Sequence, residues 1–177
     1  MATLQQGWMP DKTALGLMAY AAFQELATRI SHRNTGRHSD DPVADKIMVR
    51  VAADENLHMM FYRDIVAAAL HLDPSAAVEA ITGEVIGFAM PGVGIQGFTR
   101  KALQMAQAGI YDLRIHHDEI LWPLLRHWDL FGLEGLDRQA EQARDRLATH
   151  LAKTDRLANR FEAKRAATAA NEHSAAG

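Results

Sequence analysis

The chain contains no cysteine among its 177 residues. This absence excludes disulfide bonds, iron–sulfur clusters held by thiolates and a cysteine nucleophile, so any bound metal must be held by nitrogen and oxygen atoms. The sequence also lacks an apolar run approaching the roughly 20 residues of a membrane span. Its N-terminal segment has neither the basic nor the apolar region of a secretory signal. We therefore expect a cytoplasmic protein without a membrane partner.

Excess charge of either sign is also missing. The formal net charge is −3 and 23% of the residues are charged, a balance that does not favour nucleic acid as a partner. Hydrophobic residues make up 48% of the sequence, enough to build a core in a chain of this length. We expect one helical domain over residues 1–165 and a disordered tail over residues 166–177.

The chain shows no strand pattern and no internal repeat, whereas helix signals are frequent. An aspartate followed by proline, at 41–42 and again at 73–74, predicts a helix start because proline suits the first helical position. Glycines at 36 and 132 predict helix ends. The expected fold is all-α, with helices from the caps at 10–13 to about Asn34, over 42–72, from 74 to the segment 90–94, over 96–131 and over 134–165.

Three residues on the first two predicted helices suggest a metal site. Glu25 interrupts a stripe of small and apolar residues, while Glu55 and His58, three residues apart, project from one side of the next helix. Buried carboxylates need a cation nearby. Carboxylate-bridged di-iron proteins of the four-helix type use one Glu from each of two helices and a Glu-x-x-His from each of the other two. This chain has one of each, and they would meet if the two helices form a hairpin whose arms are offset by about one turn.

Other histidines carry weaker signals. His32 lies two turns beyond Glu25 on the same face, where we expect a hydrogen-bonded neighbour of the site rather than a ligand. His116 and His117 are followed by two acidic residues, but adjacent side chains point about 100° apart on a helix. We expect surface or packing roles for this cluster.

The segments FQELATRISHRNTGR and VAADENLH, with the spacer between them, resemble the soluble acyl-acyl-carrier-protein desaturases, which include plant stearoyl desaturases and mycobacterial relatives. The resemblance extends from about Phe23 to about Lys164. It implies a ferritin-like helical core that holds two Fe(2+) ions and introduces a double bond into a fatty acyl chain with the help of dioxygen. It also implies an acyl carrier protein thioester as substrate and a ferredoxin-type electron donor.

Site roles follow from the same resemblance. It implies that Glu25, Glu55 and His58 are iron ligands. Thr28, one turn after Glu25, matches a family threonine beside the oxygen-binding face, where a hydroxyl could handle protons. Asp54 matches an aspartate that supports a histidine ligand on another helix.

The chain departs from the family pattern in its ligand count. The residues before Phe23 contain no glutamate, and Glu79, Glu84 and Glu119 are not followed three residues later by histidine. We therefore expect half a ligand set and no oxygen activation by a monomer. The alternatives are a ferritin-like iron-binding protein whose site is completed across a homodimer, and an inactive helical remnant. Manganese could replace an iron in such a ligand set.

Basic residues are frequent near the first predicted hairpin, at Arg29, Arg33, Arg37, Lys46 and Arg50. A solvated charged face is the first interpretation. Docking of acyl carrier protein, which is acidic, is the alternative.

Overall fold

The computed structural model describes residues 12–89 and 93–175. Within these residues, every regular element is a helix. This confirms the predicted all-α, ferritin-like class of fold. The elements in chain order are α1 (Ala14–His38), α2 (Pro42–Leu72), α3 (Pro74–Ile86), α4 (Phe98–Gln107), α5 (Leu113–Ile115), a π-helical segment (His116–Leu121), α6 (Trp122–His127) and α7 (Arg138–Ala175).

The first three helices begin at side-chain caps. Thr13 accepts a hydrogen bond from the Gly16 amide at 3.0 Å, which starts α1. Asp41 caps α2 by accepting two backbone N–H groups of the first turn, Asp73 caps α3 by accepting one, and each is followed by proline. These contacts satisfy donors that have no partner within the helix, and they confirm both Asp-Pro predictions.

The α1–α2 hairpin is the most extensive helix pair of the fold. It forms because α1 continues through Gly36, which was predicted to break it, and ends at His38. Gly36 is buried against α2, and a Cβ built there would lie 2.7 Å from Asp45 Oδ1 and 3.0 Å from Met48 Cβ. Glycine at this position therefore allows close helix packing rather than ending the helix.

The core lies where α1, α3, the π-helical segment and α7 meet. Fully buried side chains from each include Phe23, Ile81, Ile120 and Leu147. The Phe23 ring packs edge-on against Trp128 with a centroid distance of 5.6 Å. Burial of each large apolar side chain contributes about 1.5–3 kcal/mol, so this cluster holds α1 firmly in place two residues before Glu25.

The second half of the chain is more interrupted than predicted. The expected helix over 96–131 is divided because Gly109 adopts a positive φ of 71° after α4. Asp112 then starts a new helix by accepting the Ile115 N–H at 2.9 Å. The third helix was predicted to reach the segment 90–94 but ends at Ile86. Residues 90–92 of that segment lie outside the described residues.

The last helix is longer than predicted. α7 begins at Arg138 and continues to Ala175, so most of the segment 166–177 that was predicted to be disordered is helical. Four alanines between 166 and 170 favour helix, and extending an existing helix avoids the cost of nucleation. None of the helices in the described residues combines the length and apolar character that crossing a membrane requires.

Candidate metal centre

The three predicted ligands meet because the hairpin arms have matched depths. Glu25 lies 13 residues before the end of α1 at His38, and Glu55 lies 13 residues after the start of α2 at Pro42. At about 1.5 Å per residue, both carboxylates are about 20 Å from the turn. The offset expected from sequence disappears because α1 runs one turn further than predicted.

Glu25, Glu55 and His58 form a compact donor group. His58 Nδ1 lies 3.4 Å from Glu25 Oε2 and 3.5 Å from Glu55 Oε2, and one ligand atom from each residue lies within 4.8 Å of the others. Divalent ions form bonds of about 2.1 Å to such donors, so ligand atoms at right angles around one ion are about 3 Å apart. Small side-chain movements would therefore allow all three residues to bind one ion.

The electrostatics of the group also fit a cation. Burial raises the pKa of the Glu25 carboxyl to about 7, and the neighbouring Glu55 carboxyl adds to this increase while His58 opposes it. Within the described residues, neither glutamate has a lysine or arginine as an ion-pair partner. A divalent ion would neutralise the two facing carboxylates.

The site is open on one side of the hairpin. Glu25 and Glu55 are 16% and 19% exposed in their side chains, but His58 is 58% exposed. Large apolar residues on the same side of α2 as His58 are also exposed, namely Val43, Ile47 and Phe61. By the periodicity of the helix, they lie within about 60° of His58 around the α2 axis. The donor group thus lies on the same side of α2 as exposed apolar side chains.

The three residues predicted to surround the ligands differ in their contacts with the donor group. His32 Nε2 lies 3.6 Å from Glu55 Oε1, within ion-pair range but too long for a hydrogen bond. The Thr28 hydroxyl donates to the backbone carbonyl of Glu25 at 3.0 Å and so turns back along α1. Asp54 is exposed and has no hydrogen bond or ion pair within the described residues. The roles of Thr28, Asp54 and His32 remain predictions.

The histidine pair of the π-helical segment has other partners. His117 is buried, with Nδ1 2.5 Å from Asp118 Oδ1, and its Nε2 accepts the Trp122 indole N–H at 3.1 Å. His116 Nδ1 lies 2.8 Å from the Tyr111 hydroxyl. Both nitrogens of His117 are occupied, so it contributes to packing around α6.

Sequence reasoning missed a groove on the same hairpin. Arg29, Arg33 and Arg37 line it together with Asn56 of α2 and Glu119 of the π-helical segment. The i, i+4, i+8 spacing of the arginines was the available signal. Glu119 could not be placed there from sequence, because it comes from an element that was predicted as part of one continuous helix.

Comparisons with known proteins match this chain to one family and to named relatives. The family model described as fatty acid desaturase matches residues 3–176. DesA1 of Mycobacterium tuberculosis, named as an acyl-[acyl-carrier-protein] desaturase, is 46% identical over 143 residues, which cover 81% of this chain and 42% of that protein. Stearoyl-[acyl-carrier-protein] 9-desaturase 2 of Oryza sativa is 32% identical over 162 residues, covering 84% of this chain and 40% of that protein.

The matches cover a large share of this chain but a smaller share of its relatives. The chain spans about two fifths of the length of these relatives, whereas the family model spans nearly all of the chain. With Glu25, Glu55 and His58 brought together on an all-helical scaffold, the sequence match and the fold agree, and the chain belongs to the fatty acid desaturase family.

Proposed function

We propose that this chain takes part in desaturation of a fatty acyl group carried as a thioester on acyl carrier protein, in the cytoplasm, and supplies half of the ligands of a di-iron site. The observation that carries the proposal is the convergence of Glu25, Glu55 and His58 within 4.8 Å of one another. The names of the mycobacterial and rice relatives support the substrate class. A ferredoxin-type protein is the proposed electron donor.

Each of the proposed site residues would have its own role in desaturation. Glu55 and His58 would hold iron from α2, and Glu25 would hold it from α1. His32, 3.6 Å from Glu55, would orient that carboxylate. The Thr28 hydroxyl would hold a proton close to the ligands after rotating away from the Glu25 carbonyl. When bound, two Fe(2+) ions supply the oxygen-dependent removal of two hydrogens from the acyl chain.

Three donors are half of the six in the four-helix di-iron pattern, so a complete site needs a second contribution. We propose a second copy of the chain as the first candidate. Two copies related by a two-fold axis would supply two lone glutamates and two Glu-x-x-His pairs. The exposed Val43, Ile47 and Phe61 on the His58 side of α2 support this arrangement, since association along this side would bury them together with the donor group.

A ferritin-like iron-binding protein is the second candidate function. It is favoured by the 58% exposure of His58, which leaves the donor group accessible to iron without an acyl substrate. The two candidates differ in one assay. Desaturation requires product formation from an acyl carrier protein thioester, whereas iron binding alone gives uptake without product.

The first experiment is anaerobic reconstitution of the purified chain with ferrous iron, followed by native mass spectrometry. We expect a dimer with two irons, and we expect Glu55→Ala to lose the iron. Glu79→Ala, at an exposed position of α3, is the control and should retain it. A metal-free species that is unchanged by Glu55→Ala would contradict the metal site and leave an inactive helical remnant as the function.

A further inference from the structure

A groove of about 430 Å³ lies between α1 and α2, lined on one side by Arg29, Arg33 and Arg37. These arginines follow one another at four-residue steps, so their backbones are about 6 Å apart along α1. The opposite wall is formed by α2, where Val49 and Ala53 are apolar and exposed. The groove therefore combines a line of cations with an apolar floor.

Two of the three arginines, Arg29 and Arg37, have no ion-pair partner within the described residues. Arg29 is partly buried, yet it has no hydrogen bond or ion pair within the described part of the chain. Arg33 uses one guanidinium nitrogen, Nη1, for Asp45 at 3.1 Å. Arg37 is exposed and also has no partner among the described residues. Glu119 borders the groove but forms no ion pair with any of the three. Partial burial of an unpaired guanidinium is unfavourable, so a bound anion would stabilise this arrangement.

Guanidinium groups select the class of anion. Their planar arrangement of donors matches the oxygens of phosphate in a bidentate way, which an ammonium group cannot do. The apolar wall adds a second requirement, because inorganic phosphate alone would leave the exposed Val49 and Ala53 uncovered. We propose that this groove binds the phosphate group of a phosphate ester whose attached organic part is aliphatic.

The groove is separate from the metal centre. Asn56, which lines the groove, is two residues from His58, and side chains two apart on a helix are turned about 160° from each other. The groove lining does not include Glu25, Glu55 or His58, although Arg29 lies one turn from Glu25 on α1. This inference does not depend on iron binding.

Butyl phosphate is the test ligand, titrated into the full chain by isothermal calorimetry in about 0.15 M salt to screen diffuse charge effects. We expect at least about tenfold weaker binding after Arg29→Ala combined with Arg37→Ala. The matched control is Lys46→Ala combined with Arg50→Ala, which removes the same charge from exposed positions of α2 outside the groove. It should change affinity less than about twofold.

Two further measurements complete the test. Glu119→Gln should tighten binding several-fold, because it removes a negative charge from the edge of the groove without touching an arginine. Inorganic phosphate should bind more weakly than butyl phosphate. Equal losses in the two double variants, or no binding of butyl phosphate by a chain that circular dichroism shows to be folded, would overturn the proposal. Equal affinity for butyl phosphate and inorganic phosphate would overturn the proposal that the ligand has an aliphatic organic group.

Discussion

The carboxyl group of Glu25 faces that of Glu55 across the α1–α2 hairpin, and burial, reinforced by this neighbouring carboxyl, raises the pKa of Glu25 to about 7. Two acidic groups at matched depth, beside a histidine and without a lysine or arginine partner, are unfavourable for stability in the metal-free chain. The same arrangement is suited to a cation. Stability and metal binding should therefore respond in opposite directions to changes at Glu25.

The first prediction concerns Glu25→Gln. At pH 8, where the Glu25 carboxyl carries most of its charge, this change should stabilise the metal-free chain by about 1 kcal/mol by removing like-charge repulsion and the burial of a charge. It should also lower iron retention. Urea unfolding of the metal-free chain measures the change in stability. Metal analysis after reconstitution measures iron retention. Glu79→Gln, at an exposed position, should alter neither, and a destabilised Glu25→Gln chain would argue against repulsion at the site.

The second prediction concerns acid stability and His116. Burial lowers the pKa of His116 to about 4, and the charges of His150 and His117 add to the effect. The unfolded chain takes up this proton near pH 6.5 and the folded chain only near pH 4, so the unfolded state binds more protons between these values. Stability should therefore fall as the pH drops from about 6.5 to about 4, by an amount on the order of 2–3 kcal/mol from this group.

His116→Gln isolates that contribution, because glutamine can still hydrogen-bond to the Tyr111 hydroxyl and does not titrate. Unfolding curves at several pH values should show a weaker decline in the variant than in the parent chain. His127→Gln, at an exposed position, should reproduce the parent's profile. Identical profiles for the parent and His116→Gln would contradict a buried neutral histidine.

The third prediction concerns Arg114, which joins α5 to α7. Its guanidinium donates to Asp155 Oδ1 at 2.8 Å, Asn159 Oδ1 at 2.7 Å and Glu162 Oε2 at 3.3 Å. A single exposed ion pair contributes little, but several bonds from one partly buried group add up. Arg114→Ala should lower the free energy of unfolding by about 1–2 kcal/mol. Arg114→Lys should recover only part of the loss, because an ammonium cannot reproduce the fork of donors.

Thermal or urea unfolding measures this change, and Arg126→Ala is a suitable control. Arg126 is exposed, and within the described residues its guanidinium donates only to the carbonyl of Trp122, at 3.4 Å in its own helix. It should change stability by less than about 0.5 kcal/mol. Equal effects of the Arg114 and Arg126 substitutions would mean that the network does not stabilise the contact with α7.

Local signals predicted the first half of the fold well, because capping is decided by neighbouring residues. Asp41 and Asp73 each start a helix where a proline follows. Gly36 was misinterpreted because its role depends on contact with Asp45 of another helix, which no local pattern reveals. The three-residue spacing of Glu55 and His58 predicted that both belong to one metal site. Their distance from Glu25 could not be predicted without knowing where α1 ends. The hydrophobic periodicity of the sequence did not indicate the π-helical segment.

The fourth prediction tests that contact through Gly36→Ala. The added Cβ would lie 2.7 Å from Asp45 Oδ1 and, less avoidably, 3.0 Å from Met48 Cβ and 3.2 Å from Asp45 Cα. Alanine gains about 1 kcal/mol in helix propensity over glycine, but overpacking at a helix contact costs about 1–3 kcal/mol. We expect net destabilisation of up to about 2 kcal/mol.

Gly83→Ala provides the matched control, because it is also inside a helix, α3, but a Cβ there meets nothing within 4 Å. It should stabilise the chain by about 0.5–1 kcal/mol through propensity alone. Opposite signs for the two substitutions in urea unfolding would identify helix contact as the reason for glycine at position 36. If both substitutions stabilise, the two helices can separate slightly at little cost, and the matched depth of Glu25 and Glu55 does not depend on a glycine at the turn.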